Sequence, residues 1–399
     1  MDATMIDLAA ARADTPAAAD QIFLDSAGSS LPPIPVLDTV LAHLRREAEI
    51  GGYRAAQERA DDLDRGYPVF ARLLGCEPDE VAFTDSATRS WLTLLDAVSL
   101  GAGDRVLIGE VEYGSNAIAL LRLAERTGAG VEVVPSDEFG QFSVPALRGM
   151  LDERVKLVSL VHVPTNTGLV NPVREVAEAA HQAGALVLLD ACQSIGQLPV
   201  RLAELGVDLA SGTGRKWLRG PRGTGFLVAR RSVADRLRPR WVDNTGASWD
   251  TADRYTLRTD ARVHELFEFG VAQRLGLIAA AEYALKLGVD EIAEQVTGRA
   301  ELARAGLAEL PGVTVHDIGR DHGGIVTFTV AGMAPAVVRD ELWARAITVS
   351  TSPAASTRLD MDRRGLDAVV RASPHYFVSP DQITEFVSSV GALRGRQVR

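Results

Sequence analysis

Only two cysteines, Cys76 and Cys192, occur in 399 residues. A disulfide framework is therefore excluded, and a reducing compartment fits. No apolar run approaches the roughly 18 residues that a helical membrane span requires. A basic excess is also lacking: the net charge of -11 argues against nucleic acid or an anionic membrane surface as the main partner. A local basic pocket for a phosphate remains compatible with that charge. No G-x-G-x-x-G follows the first candidate strand, which argues against a dinucleotide-binding oxidoreductase. Internal repeats and low-complexity segments are absent. The first twenty residues are alanine-rich but hold four aspartates and one arginine, the reverse of a signal peptide. They read as a frayed or locally helical arm. A cytoplasmic protein is expected.

What is present is ordinary in bulk, with 46% hydrophobic and 24% charged residues. The length suggests about two domains. Between about residues 80 and 230, short apolar runs alternate with amphipathic stretches. The candidate strands are Glu80–Thr84, Arg105–Gly109, Val131–Pro135, Lys156–Val163, Ala185–Asp190 and Gly225–Ala229. Several lack polar alternation, as strands covered on both faces do. The intervening stretch N-P-V-R-E-V-A-E-A-A-H-Q-A-G reads as a helix capped by Asn171 and closed by Gly184, with Val173, Val176, Ala177 and Ala180 as its buried stripe. This is an α/β pattern, a mainly parallel sheet with crossover helices. Residues 231–275 lose the rhythm and suit loops closing a cleft, with Trp241, Asn244, Trp249 and Tyr255 among them.

A second pattern follows from about residue 290. It has helices over Glu291–Leu310, Pro335–Arg345 and Pro380–Leu393, and strands near Val313–Asp317, Ile325–Val330, Ile347–Ser350 and Val369–Ala372. The expected organisation is an N-terminal arm and helix (1–50) packing with the small domain, a large domain (51–285) and a smaller α+β C-terminal domain (286–399).

Lys216 lies in S-G-T-G-R-K-W, 26 positions after Asp190 in L-V-L-L-D-A-C-Q. A lysine amine can condense with an aldehyde, and a carboxylate at the end of a buried strand can keep a pyridine nitrogen protonated. Those are the two protein groups that pyridoxal 5′-phosphate (PLP) needs to act as an electron sink. Alone, such an aspartate is more often a helix cap or loop carboxylate, and such a lysine a solvated charge. Their neighbours weigh against the bland readings. Thr213, Gly214 and Arg215 form a candidate phosphate cradle. Gln193 could donate to a phenolic oxygen on a flat ring. In F-T-D-S-A-T-R-S-W, the backbone near Ala87 and the Thr88 hydroxyl could bind a phosphate at a helix N-terminus, or serve merely as caps. Tyr113 could stack on a ring or be a half-buried aromatic. Arg371 sits inside an apolar strand, where it needs a partner: an internal salt bridge, or a substrate carboxylate held bidentately.

Taken together, these segments resemble the class V aminotransferase group of fold-type I PLP enzymes, which includes cysteine desulfurases and isopenicillin N epimerase. The resemblance runs from F-L-D-S-A-G-S-S (Phe23–Ser30) to R-A-S-P-H-Y. It implies a large domain with a mainly parallel seven-stranded sheet and a homodimer with the active site at its interface. It also implies that Lys216 holds PLP covalently, that Asp190 pairs with the pyridinium nitrogen and that Gln193 contacts the phenolic oxygen. Tyr113 takes the stacking place usually held by His. Ala87, Thr88, Thr213 and Arg215 surround the phosphate, and Arg371 binds the amino acid carboxylate.

Three departures bear on activity. Thr348–Leu366 contains no cysteine, although cysteine desulfurases carry a nucleophilic one on the loop before the carboxylate arginine. E-F-G-V (Glu268–Val271) replaces E-x-G-T, and Thr165 stands where an Asn is often found near the phenolic oxygen. Leu44–Glu58 and Arg215–Gly225 look like the hercynylcysteine sulfoxide lyases and the lincosamide-pathway enzymes that process S-linked cysteine conjugates. In that likeness Tyr53 and Arg54 approach the substrate end of the cleft, together with Gly28, unless they form only a surface turn. The resulting expectation is a carbon–sulfur lyase acting on an S-substituted cysteine. Decarboxylative oxidative deamination, epimerisation, transamination and a catalytically silent binding protein remain the alternatives.

Overall fold

In the computed structural model, which describes residues 6–393, the alternating region forms a seven-stranded sheet. Read across it, the strands are Val81–Thr84, Gly225–Ala229, Leu209–Thr213, Leu186–Asp190, Val155–Val161, Arg105–Gly109 and Gly130–Val134. Gly225–Ala229 pairs antiparallel with both neighbours, and every other pairing is parallel. Two reversals cancel, so Val81–Thr84 runs in the same direction as the five parallel strands. Its C-terminal end therefore reaches the same edge of the sheet as theirs.

Alternate side chains of these strands enter two cores. Phe83, Leu107, Val158, Leu160, Val187, Leu189, Phe226 and Val228 belong to one, with Phe70 and Leu277 among its helical residues. Ala82, Val106, Ile108, Leu157, Leu186, Leu188 and Leu227 belong to the other, with Trp91, Leu94, Leu120 and Leu123. Both faces are covered, which is why the strands read as continuous apolar runs.

The six expected strands occur within two residues of their expected ends. Leu209–Thr213 had no expectation behind it: L-A-S-G-T carries no β-branched residue before Thr213, and the central sheet position supplies what propensity does not. The helix Val173–Gln182 buries Val173, Val176, Ala177 and Ala180 as its pattern requires. Asn171 does not cap it. Its Nδ2 donates to Val161 O at 2.7 Å and its Oδ1 accepts from Phe142 N at 2.8 Å, tying the end of a strand to a neighbouring loop.

The C-terminal region forms an antiparallel four-stranded sheet in the order Val313–Val315, Val326–Val330, Ala368–Ala372 and Ser350–Pro353. The strand expected at Ile347–Ser350 divides in two. Ile347–Thr348 pairs in parallel with Ile22–Phe23, while Ser350–Pro353 turns into the four-stranded sheet. The N-terminal arm is thereby fastened to the C-terminal region, and a short helix, Leu8–Ala13, is capped by the Asp7 carboxylate. The first five residues of the expected arm lie outside the described residues. Helix Ile34–Ile50 packs chiefly on helix Val271–Leu287 rather than on the C-terminal sheet.

Residues 231–275 are not all loop. Ala247–Thr251 and Arg254–Leu257 form an antiparallel hairpin that projects Trp249 and Tyr255 into solvent. No described helix is long and apolar enough to cross a membrane.

Candidate active site

The C-terminal ends of the strands converge on one edge of the seven-stranded sheet, where open α/β sheets bind ligands. Asp190 ends its strand there and Thr213 another; Val161 and Val163 follow from a third. A cleft is lined by Ala87, Thr88, Tyr113, Val161, Val163, Thr165, Asp190, Cys192, Gln193, Thr213, Arg215 and Lys216. Nine residues singled out from the sequence thus meet in one place, although they span Ala87 to Lys216 along the chain.

The Lys216 amine makes no hydrogen bond or ion pair to another described residue. Burial lowers its amine to about 8, a shift that the Arg215 and Arg371 charges reinforce and that Asp190 opposes. An amine that loses its proton so readily is suited to condense with an aldehyde. Asp190 is buried, with Oδ1 accepting from Cys192 N at 3.0 Å and Oδ2 from Asn116 Nδ2 at 2.9 Å.

One end of the cleft is built from backbone. Ser86 caps helix Ala87–Ala97 by accepting from Arg89 N, and the first-turn N–H groups of Ala87 and Thr88 have no intrahelical acceptor. A Cβ on Gly225 would strike the Ser86 carbonyl and Ala87 N, so glycine there lets the antiparallel strand press against the helix start. Arg215 is half-buried and has no carboxylate partner among the described residues; desolvation, then the Arg222 charge, lowers its pKa. A desolvated guanidinium without a counter-ion fits an anionic ligand. It donates to Gly28 O, so Gly28 acts through its carbonyl in placing Arg215. The Thr213 hydroxyl is already donating to Thr224 O at 3.2 Å.

At the other end Arg371 meets internal partners at all three of its guanidinium nitrogens. Its Nη2 lies 3.2 Å from Asp25 Oδ1, its Nη1 2.6 Å from Thr165 Oγ1 and its Nε 3.2 Å from Ser350 Oγ. Tyr53 and Arg54 are exposed and lie outside the cleft of their own chain. Tyr53 lines a separate surface cavity with Glu47, Phe267 and Glu268, next to the E-F-G-V segment. Neither Trp241–Arg262 nor Thr351–Arg364 lines the Lys216 cleft within one chain.

Sequence reasoning missed the support beneath Asp190. Glu112 is fully desolvated and accepts from Ser159 Oγ at 2.8 Å, Asn116 Nδ2 at 3.0 Å and Tyr113 N at 2.9 Å. Burial raises its carboxyl to about 7 against the pull of the Asn116 and Ser159 hydrogen bonds, and the nearby Asp190 charge raises it further. The i, i+4 spacing of Glu112 and Asn116 across a helix start was the available signal. Asp360 is wholly buried beneath Asn166, Arg363 and Arg364, at 3.0, 3.1 and 3.2 Å.

A low-pKa amine, a strand-end carboxylate and an unpaired cation beside a helix N-terminus are the donor set that PLP requires, and the residues present fit it. The fold and the site together define a fold-type I PLP-dependent enzyme. Residues 22–386 match the aminotransferase class-V family model, and the chain belongs to that family. It is 33% identical over 414 residues to a probable cysteine desulfurase 2 of Mycobacterium leprae, covering 97% of this chain and 96% of the relative. It is 27% identical over 378 residues to a probable cysteine desulfurase of Methanothermobacter thermautotrophicus, covering 93% and 94%. Among solved structures, the apo cysteine desulfurase of Thermococcus onnurineus NA1 superposes with a TM-score of 0.90 at 25% identity, covering 98% of this chain and 100% of that one.

Proposed function

We propose that this PLP enzyme cleaves the carbon–sulfur bond of an S-substituted cysteine, a thioether or sulfoxide conjugate, by β-elimination. The products are a thiol or sulfenate, pyruvate and ammonia. The observation that carries this reading is the state of the two cysteines. Cys76 lies outside the cleft and burial pushes its thiol up to about 12. Cys192 lines the cleft, but desolvation and the adjacent Asp190 charge hold its thiol well above the ordinary range. Neither supplies the thiolate that would take sulfur from cysteine. The segment Thr348–Leu366 contains no cysteine. Elimination needs no enzyme thiolate, because sulfur leaves with its substituent.

Bound PLP supplies the sink for the electron pair left at Cα. Lys216 Nζ would hold the cofactor and would take the Cα proton as a general base. Asp190 keeps the ring nitrogen protonated, and Asn116 and Cys192 N hold its carboxylate in one orientation. Ala87, Thr88 and Arg215 hold the phosphate. Arg371 orients the substrate carboxylate through the donor capacity left beside Asp25. Tyr113 covers the ring face. In the same reading two chains form a homodimer, in which Tyr53 and Arg54 serve the partner chain's cleft. The likeness of Leu44–Glu58 and Arg215–Gly225 to hercynylcysteine sulfoxide lyases supports sulfoxide conjugates among the substrates.

The test is product analysis of the purified holoprotein with cysteine, cystine and a panel of S-alkyl and S-oxide conjugates. Pyruvate with stoichiometric thiol or sulfenate is expected from the conjugates. Alanine and enzyme-bound persulfide from free cysteine would instead establish a desulfurase. A carbonyl product that keeps its sulfur, formed with CO₂ release, would exclude elimination.

A further inference from the structure

Trp217, the residue after Lys216, is buried at 1% exposure and donates from Nε1 to Gln193 Oε1 at 2.9 Å. An indole nitrogen can only donate. The Gln193 amide therefore has a single allowed orientation, with oxygen toward the indole and nitrogen toward the cleft. From there Nε2 donates to Ala27 O at 3.1 Å and to Thr165 Oγ1 at 3.3 Å, which uses both of its protons. Thr165 Oγ1 also accepts from Arg371 Nη1 at 2.6 Å. A hydroxyl oxygen has two lone pairs, and both are now occupied. Its own proton must point elsewhere, and Thr165 lines the cleft.

We infer that Trp217 is a positioning residue: acting through Gln193, it sets the direction of a hydrogen-bond chain that makes the Thr165 hydroxyl a donor to the phenolic oxygen of the bound cofactor. The proton that the sequence assigned to Gln193 is delivered by Thr165. Trp217 need not touch cofactor or substrate to do this. The inference rests on the cofactor assignment and is independent of which sulfur substituent is cleaved.

A donor to the phenolic oxygen draws negative charge from it, and so weakens its hold on the proton of the neighbouring lysine-linked nitrogen. Removing the donor should raise the pH at which the visible band of the lysine-bound cofactor titrates. A shift of about one pH unit is the size expected for one charge-assisted hydrogen bond. Spectrophotometric pH titration of the holoprotein reads this without turnover. Thr165→Val should show the full upward shift, Thr165→Ser should restore the wild-type titration, and Trp217→Phe should shift in the same direction by less. The Trp217→Phe/Thr165→Val double variant should match Thr165→Val alone, because both act on one donor. Should Trp217→Phe fail to fold, Gln193→Met removes the same donor to Thr165 and carries the same expectation. An unshifted titration in Thr165→Val, or additive shifts in the double variant, would overturn the inference. Wild-type protein that takes up no cofactor would overturn the cofactor assignment instead, and equilibrium dialysis with PLP separates the two failures.

Discussion

One side-chain nitrogen, Asn116 Nδ2, donates to Asp190 Oδ2 at 2.9 Å and to Glu112 Oε1 at 3.0 Å. Both amide protons are committed, so the Asp190 carboxylate is locked to a second carboxyl group beneath it. Removing this bridge with Asn116→Ala leaves two buried acids facing each other with a donor lost from each. A stability loss of about 1–3 kcal/mol is expected, read by chemical denaturation of the apoprotein. Turnover should also fall, though less than in Asp190→Ala, for which a loss of about 100-fold or more is expected. Equal activity losses in the two variants would show that Asn116 does more than orient Asp190.

Glu112 makes that pair sensitive to pH. Its folded-state pKa is raised from 4.5 to about 7, chiefly by burial. Across that window the folded protein keeps a proton that the unfolded chain has released. By linkage, the Glu112 contribution to stability therefore falls as pH rises from about 4.5 to 7 and is constant above. Glu112→Gln lacks this dependence. Urea midpoints measured at intervals from pH 5 to pH 8 should shift in favour of the variant, relative to wild type, as pH increases up to about 7. A gap that does not change with pH would contradict the buried, protonated carboxyl.

Burial acts on Lys216 with the opposite consequence. Desolvation lowers its pKa from 10.5 to about 8, so the amine is neutral over a range where exposed lysines remain charged. The rate of PLP uptake by the apoprotein should rise through an inflection near pH 8. Borohydride reduction of the holoprotein followed by peptide mapping should place the phosphopyridoxyl group on Lys216. The chain holds only three lysines, the others being Lys156 and Lys286, so the assignment is unambiguous. Label at either of those, or uptake unaffected by Lys216→Ala, would refute the covalent attachment site.

The contrast between Asp190 and Asn116 shows which parts of this site a sequence exposes. Asp190, Lys216 and Arg215 stand out because each is a charged residue beside apolar strands or glycine turns, where burial demands a partner. The partners are harder to see. Asn116, which bonds Asp190, and Ser159, which bonds Glu112 beneath it, are uncharged and lie 74 and 31 positions from Asp190; only the parallel pairing of Val155–Val161 with Leu186–Asp190 and the helix after Arg105–Gly109 brings them together. The same distinction governs the strands. Arg105–Gly109 and Gly225–Ala229 carry their own apolar pattern, whereas Leu209–Thr213 owes its conformation to neighbours on both sides. Arg371 was legible as a buried charge, but its choice of Asp25 and Thr165 depends on the arm pairing with Ile347–Thr348, which local pattern does not encode.

Gly225 tests the phosphate end separately from the ring. Its Cα faces the Ser86 carbonyl and Ala87 N, all backbone, so a methyl group there cannot be relieved by rotating a side chain. Gly225→Ala must push the start of helix Ala87–Ala97 outward and carry the N–H groups of Ala87 and Thr88 with it. Overpacking of this kind costs about 1–3 kcal/mol in stability. PLP affinity measured by equilibrium dialysis should fall about tenfold or more, the effect of losing one well-formed charge-assisted contact of about 1.5 kcal/mol. Pyridoxal, which lacks the phosphate, should bind wild type and variant alike, because the displaced N–H groups of Ala87 and Thr88 would contact only the phosphate. Equal weakening of PLP and pyridoxal would mean that the displacement reaches the ring site, and would remove Ala87 and Thr88 from their place around the phosphate.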